Sequence, residues 1–164
     1  MEKKLRFTRR GLDKLRGEIE ELENRLKELQ SQTAHVAEIG GDQWHDNASY
    51  DILVIDIRGV DRRLNDAHQQ LNQAMIVDPP KNFDVVSIGT RVKIDRDNKE
   101  MIWEIVGFGE SDPDRGLLAY NTPLASLIIG KKKGDTTETT IAGKTIKIKI
   151  LEISKGGSED VRSS

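Results

Sequence analysis

The sequence contains no cysteine, and this absence removes several kinds of chemistry at once. Disulfides, zinc–thiolate sites and cysteine nucleophiles are all excluded. Aromatic residues are also scarce, at 4% of 164 residues. No apolar run is long enough to span a membrane, and the charged N-terminus does not resemble a signal peptide. We therefore expect a cytoplasmic protein without a membrane partner.

Charge of either sign is abundant, but neither sign has a clear excess. There are 26 Lys and Arg residues against 28 Asp and Glu residues, which gives a formal net charge of −2. A general nucleic-acid binder usually carries a marked basic excess. The balance argues against that class and leaves open a protein partner that itself holds nucleic acid.

Two series of mostly apolar residues in the first half alternate between spacings of three and four. The first is Leu12, Leu15, Ile19, Leu22, Leu26, Leu29, Thr33 and Val36; the second is Tyr50, Leu53, Ile57, Val60, Leu64, Ala67, Leu71 and Ala74. Each series is a coiled-coil seam that requires a facing helix, and Gly40-Gly41 favours a turn between them. The sequence therefore predicts an antiparallel helical hairpin over residues 1–78 with its tip at 40–47, roughly 45 Å long. The alternative is an intermolecular bundle, whose function would be structural oligomerisation.

Composition changes after Asp78-Pro79-Pro80, because proline cannot continue a helix. Six segments have the β-branched content or alternation of strands: Val85–Ile88, Arg91–Ile94, Met101–Val106, Leu117–Tyr120, Thr136–Ile141 and Thr145–Ile153. One short helix is predicted from Pro123 to Gly130, with proline at its start and glycine at its end. We expect an α+β protein: the hairpin, a β domain at 79–154 and a flexible tail at 155–164.

The stretch from Glu28 to Ile57 contains acidic residues but no Lys or Arg. Asp51 and Asp56 fit a solvated helix face. Asp42 and Asp46 flank the predicted turn, where a helix cap is one interpretation of Asp46 and a Mg²⁺ ligand is another. A lone pair of aspartates is a poor metal site, but it becomes useful beside a partner that already holds a metal and phosphates.

Three segments, in order, resemble the GreA/GreB family of transcription elongation factors. Residues 41–50 resemble that family's tip motif, G-D-x-x-E-N-A-x-Y; residues 7–15 resemble its opening, an apolar residue followed by T-x-x-G-x-x-x-L. Residues 122–135 are similar to its C-terminal signature, S-P-L-A-x-A-L-L-G-K-x-x-G-D. The resemblance extends from Phe7 to about Ile153.

The resemblance implies a coiled-coil hairpin followed by an FKBP-like antiparallel β domain with one short helix. Such factors bind the bacterial RNA polymerase elongation complex at its secondary channel. Their tip carboxylates help to hold a second Mg²⁺ at the polymerase active centre, so that backtracked nascent RNA is cleaved near its 3′ end. The factor itself is then not an enzyme, binds no cofactor stably by itself, and is expected to be a monomer.

Matched by motif, Asp42 takes the place of the family's Asp and Asp46 that of its Glu, and both are expected to assist catalysis and to contact Mg²⁺. Asn47 and Tyr50 match the motif's N and Y and are further candidate site residues, and Trp44 and His45, which lie between the two acids, are candidates from their own chemistry. The docking residues that it implies are Pro123, Leu124, Ala125, Gly130, Lys131, Gly134 and Asp135.

The tip departs from the family motif in two ways. Three residues separate the acids instead of two, and the second acid is Asp instead of Glu. Trp44 and His45 are also unusual there: the indole is suited to stacking on a base, and the imidazole to proton transfer, although an exposed His is commonly a bystander.

These departures support a second hypothesis, a Gre-like factor that occupies the same channel but inhibits or modulates polymerase without cleavage. A third hypothesis is an FKBP-like prolyl isomerase or chaperone. The second half has only Phe83, Trp103, Phe108 and Tyr120 as aromatic residues, too few to line such a pocket.

Overall fold

The computed structural model describes residues 3–40 and 48–157. The chain divides into two compact units. The first consists of Met1–Lys4 and Leu12–Ala74, and the second of Leu5–Gly11 and Met75–Ser164. The predicted fold class, long N-terminal helices followed by a β domain, is confirmed.

The first unit is built from two long helices, α1 (Arg9–Gly40) and α2 (Ala48–Asn72). The predicted seams are the faces that these helices bury. The buried seam residues are Leu12, Leu15, Ile19, Leu22 and Leu29 of α1 with Leu64 and Ala67 of α2. Burying a leucine or isoleucine side chain contributes about 1.5–3 kcal/mol, so the seam is the main source of stability in this unit.

Two ion pairs between the helices show their relative direction. Glu18 lies 3.8 Å from Arg63, and Glu23 lies 3.7 Å from His68, a pair that is ionic when the imidazole is protonated. Glu18 and Arg63 both follow the seam as heptad g positions, whereas Glu23 and His68 are both e positions. In a parallel pair of helices a g position faces an e position of the other helix, whereas g faces g and e faces e only when the two helices are antiparallel. The helices therefore form an antiparallel hairpin, as predicted.

The hairpin gives a test based on cross-linking, since the chain has no cysteine of its own. Leu22→Cys with Leu64→Cys is expected to form an intramolecular disulfide in the monomer, because the seam register places these residues opposite each other. Leu22→Cys with Leu71→Cys, two seam positions out of register, is the control. Mobility on non-reducing gels distinguishes the products, and predominantly intermolecular cross-links would instead support an oligomeric bundle.

The second unit contains a small sheet and a larger one. Strands β1 (Leu5–Phe7) and β2 (Ala74–Ile76) form the small sheet. The larger has the order β5-β4-β3-β7-β6, where the strands are β3 (Thr90–Arg96), β4 (Lys99–Val106), β5 (Leu117–Ala119), β6 (Thr136–Ile141) and β7 (Lys144–Lys155). Helix α3 (Pro123–Ile128) and a 3₁₀ turn (Pro113–Arg115) complete the unit.

Alternation along the strands places one face of the larger sheet in a core. Val92 and Ile94 of β3 are fully buried, and Ile146, Ile148 and Ile150 of β7 join them. Ala125 and Ile128 of α3 pack into the same cluster. The turn between β3 and β4 uses Asp97 and Asn98 at positive φ (52° and 65°), residues whose short side chains tolerate this conformation.

Three details differ from the sequence-based expectations. Helix α2 ends at Asn72, not at the prolines, and Ala74 belongs to β2 although it continues the helical spacing. Residues 85–88 form no strand; Val85 makes only an isolated bridge with Lys132. Strand β5 runs parallel to β4, so the sheet is mixed and not wholly antiparallel.

Candidate functional site

The predicted tip lies between α1 and α2, and residues 41–47 fall outside the part of the chain that the structure describes. The roles of Asp42, Trp44, His45, Asp46 and Asn47 therefore stay predictions. Tyr50 is described and is half-buried on the seam of α2. In residues 3–40 and 48–157, no group of three or more His, Asp or Glu side chains is arranged to hold a metal ion.

The acidic residues beside residues 41–47 are exposed, as a solvated face requires. Glu38, Asp51 and Asp56 all lie on the surface. Asp51 is in the first turn of α2, where the helix dipole favours a negative charge. Glu28 forms an ion pair with Arg25 at 2.9 Å. Asp51 and Glu28 thus have local structural roles, and Glu38 and Asp56 leave the surface negative.

The opening motif belongs to a hydrogen-bond network around the buried carboxylate of Glu110 in the second unit. Thr8 Oγ1 accepts a hydrogen bond from Gly11 N at 3.0 Å, which caps the first turn of α1, and donates one to Glu110 Oε2 at 2.7 Å. Gly107 N donates to the same carboxylate oxygen at 2.9 Å, and Arg10 Nε donates to Oε1 at 3.4 Å. Thr8 therefore caps α1 and also contacts Glu110.

The glycines of this network leave space for the carboxylate. A Cβ atom on Gly11 would lie 2.5 Å from Glu110 Oε2, and one on Gly107 would lie 2.7 Å from Thr8 N. The Gly of the opening motif therefore leaves room for the Glu110 carboxylate, and the Thr of the motif donates a hydrogen bond to it. Sequence reasoning missed Glu110; the available signal was the Gly107-Phe108-Gly109-Glu110 run, which is typical of a tight turn.

The C-terminal signature begins as the capped start of α3. Thr122 is the N-cap, Pro123 is in the first turn, and Ala125 N donates to Thr122 Oγ1 at 3.4 Å. The Ala125 side chain is 0% exposed. Gly130 and Gly134 adopt φ values of 83° and 89°, which favour glycine. These five signature positions are explained by the fold itself.

The end of the signature is joined to β7 by backbone hydrogen bonds. Gly134 N donates to Ile150 O at 2.8 Å, and Ile150 N donates to Asp135 O at 2.9 Å. The Asp135 carboxylate accepts from Lys132 N at 2.9 Å and closes the turn. Of the predicted docking residues, Pro123 is exposed and Leu124 and Lys131 are half-buried. Ala125 offers no surface to a partner and acts through the position of α3.

Comparison with known proteins places this architecture in a family. Residues 80–155 match the model "Transcription elongation factor, GreA/GreB, C-term". Transcription elongation factor GreA of a Nitratiruptor species is 32% identical over 156 residues, which cover 93% of this chain and 94% of that protein. The chain belongs to the GreA/GreB family of transcription elongation factors. The resemblance inferred from the three motifs is confirmed.

A second curated relative agrees with this membership. Transcription elongation factor GreA of Nautilia profundicola is 33% identical over 160 residues, which cover 94% of this chain and 95% of that protein. Among solved structures, Gfh1 of Thermus aquaticus aligns with 93% of this chain and 99% of that chain, at 16% identity and a TM-score of 0.45.

The second unit of this GreA/GreB family member also contains a cavity of about 380 Å³. Its apolar lining includes Ile88, Ile105 and Val106, and its polar lining includes Glu104 and Lys155. Within the described residues, no aromatic side chain lines this cavity. The isomerase hypothesis, which needs an aromatic pocket for proline, gains no support from it. No described helix has the length and apolarity needed to cross a membrane.

Proposed function

We propose that this factor binds bacterial RNA polymerase at its secondary channel and stimulates cleavage of backtracked nascent RNA. The observation that carries the proposal is the identity of 32% with a GreA elongation factor along 93% of the chain. The antiparallel hairpin supports it, because Asp42 and Asp46 belong to the seven residues, 41–47, that connect the two helices in the sequence.

Docking is proposed to reside in the second unit. The predicted docking residues with accessible surface are Pro123, Leu124, Gly130, Lys131, Gly134 and Asp135. The glycines and Asp135 hold the loop that carries Lys131, through the hydrogen bonds to β7. In this division of labour the second unit supplies most of the affinity, and the hairpin supplies the effect on the polymerase.

Asp42 and Asp46 are proposed to contact a Mg²⁺ ion that the polymerase active site supplies. Carboxylate oxygens are the hard ligands that Mg²⁺ prefers, and the ion commonly keeps several waters and takes only one or two protein carboxylates. The donor set therefore fits a shared ion and not a site of the factor's own. The ion would activate the attacking water and stabilise the leaving oxygen. The factor's own part is to hold two negative charges at that place.

A second candidate function is supported by the tip sequence. The Asp in place of Glu shortens the reach of the second carboxylate by about one C–C bond, ~1.5 Å, and the inserted residue changes the backbone position from which that carboxylate extends. An error near 1 Å in the position of a catalytic group can cost about 100-fold in rate. With that loss, the same binding mode would inhibit the polymerase without cleavage.

The test is RNA cleavage in stalled elongation complexes made with purified bacterial RNA polymerase. Adding the factor is expected to accelerate cleavage by roughly 100-fold, the lower end for a positioned catalytic group. Slower elongation without cleavage at any Mg²⁺ concentration would support the inhibitor instead. An absence of binding, measured on the same complexes, would contradict both functions.

A further inference from the structure

The outer face of α2 next to the tip carries two isoleucines that the hairpin cannot cover. Ile52 and Ile55 are 60% and 67% exposed. They occupy the c and f positions of the heptad, which lie farthest from the seam. From this face we propose, building on the proposed function, that Ile52 and Ile55 dock on an apolar wall with basic surroundings inside the RNA polymerase channel.

The placement of these side chains is unusual within the hairpin. The b, c and f positions of the described helices are otherwise occupied by charged, polar or small residues. Ile39, 74% exposed at the end of α1, is the third exposed large apolar side chain of the two helices. All three lie between residues 39 and 55, and the described remainder of α1 and α2 exposes none.

Helix formation does not explain two isoleucines at outer positions. A β-branched side chain loses χ1 freedom in a helix, so Leu, Glu, Gln, Lys or Arg is favoured at an exposed helical site. Burial against the other helix does not explain them either, because c and f positions point away from it. A partner that covers this face accounts for both observations.

The charges around the isoleucines indicate the chemistry of that partner. Asp51 and Asp56 are exposed immediately beside them, and no Lys or Arg occurs between Glu28 and Ile57. Phosphates of RNA or DNA would be repelled by such a surface. An apolar protein surface bordered by Lys or Arg would be attracted. The outer face of α2 that carries Ile52 and Ile55 therefore fits the protein wall of the channel and not the nucleic acid within it.

The experiment compares the affinity of full-length variants for RNA polymerase core enzyme, measured by competition with labelled wild type. Ile52→Gln with Ile55→Gln is expected to weaken binding by roughly 10- to 100-fold, from the loss of buried apolar area. The cleavage rate at saturating factor is expected to stay at the wild-type value. Ile76→Gln with Ile141→Gln changes two exposed isoleucines outside the hairpin (44% and 49%) and should bind like wild type.

Further measurements separate this proposal from its competitors. Circular dichroism verifies the helices, and Ile52→Ala with Ile55→Ala repeats the test with a stronger helix former. Asp56→Asn is expected to weaken binding at low salt and to have little effect at high salt. If wild type binds polymerase and the Gln and Ala variants bind with the same affinity as wild type, this inference is overturned and the proposed function is not. A wild-type dimer that these changes convert to a monomer would overturn it in favour of a second copy, whereas no wild-type binding would refute the proposed function.

Discussion

Asp42→Asn, and separately Asp46→Asn, is expected to abolish factor-stimulated RNA cleavage while leaving polymerase binding nearly intact. Asparagine keeps the shape of aspartate and its ability to cap a helix, but it removes the negative charge that Mg²⁺ requires. We expect a loss of at least about 100-fold, the size of effect that accompanies misplacement of a catalytic group by ~1 Å. The measurement is the cleavage rate of stalled complexes at saturating factor, with affinity determined in parallel.

The control for this experiment is Asp51→Asn, which removes an exposed charge from the first turn of α2. It should lower cleavage little, since Asp51 has a local role at the helix N-terminus. Equal cleavage by wild type and by both tip variants would show that Asp42 and Asp46 are only helix caps. A wild type that slows elongation without cleaving RNA would support the inhibitor function instead.

The helical hairpin could be predicted because its signal is repeated many times along the chain. Every seam position from Leu12 to Leu29 adds to the same periodicity, and the observed burial follows it residue by residue, with only Leu26 half-buried. Strand β7 could also be predicted from the sequence, because Ile146, Ile148 and Ile150 alternate with lysines. Long elements with one buried face are therefore visible in a single sequence.

The elements that sequence reasoning missed are short and depend on distant partners. Strands β1 and β2 have three residues each, and they are fixed by pairing across the whole hairpin, as in the bond of 2.8 Å from Val77 N to Phe7 O. Three residues are too few for an alternation to be recognised. The candidate tip site came from motif resemblance, since no local pattern shows where a turn residue's carboxylate will meet a metal in another protein.

The burial of charged side chains was the other feature that could not be predicted from the sequence. Glu104 and Glu110 are almost fully buried, whereas glutamate is normally expected at the surface. Each is held by groups distant in sequence: Glu104 Oε1 accepts from Gly157 N at 2.7 Å, and Glu110 Oε2 accepts from Thr8 Oγ1. Only the tertiary structure provides these donors, so composition alone would have placed both residues in solvent.

Glu110→Ala is accordingly expected to destabilise the second unit strongly. The change leaves the Gly107 N–H and the Thr8 hydroxyl without their acceptor in a buried site, at a cost of about 1–3 kcal/mol for each group that stays unpaired. Glu110→Gln keeps an acceptor oxygen but turns an N–H donor toward a network of donors, and we expect about half of that loss. Glu138→Ala, at an exposed position on β6, should change stability by about 0.5 kcal/mol or less.

Urea unfolding measures this effect in the second unit when Trp103 is the fluorescent reporter. The chain has two tryptophans, so the variants are made in a Trp44→Phe background, which leaves Trp103 in the core of that unit. Gly107→Ala supplies an independent test, because its Cβ would lie 2.7 Å from Thr8 N and must displace the same network without removing any charge. If Glu110→Ala unfolds at the wild-type urea midpoint with an unchanged slope, the network contributes no stability. If only Gly107→Ala is destabilised, close packing around the carboxylate is what the opening motif preserves, and the hydrogen bonds of Glu110 are secondary to it.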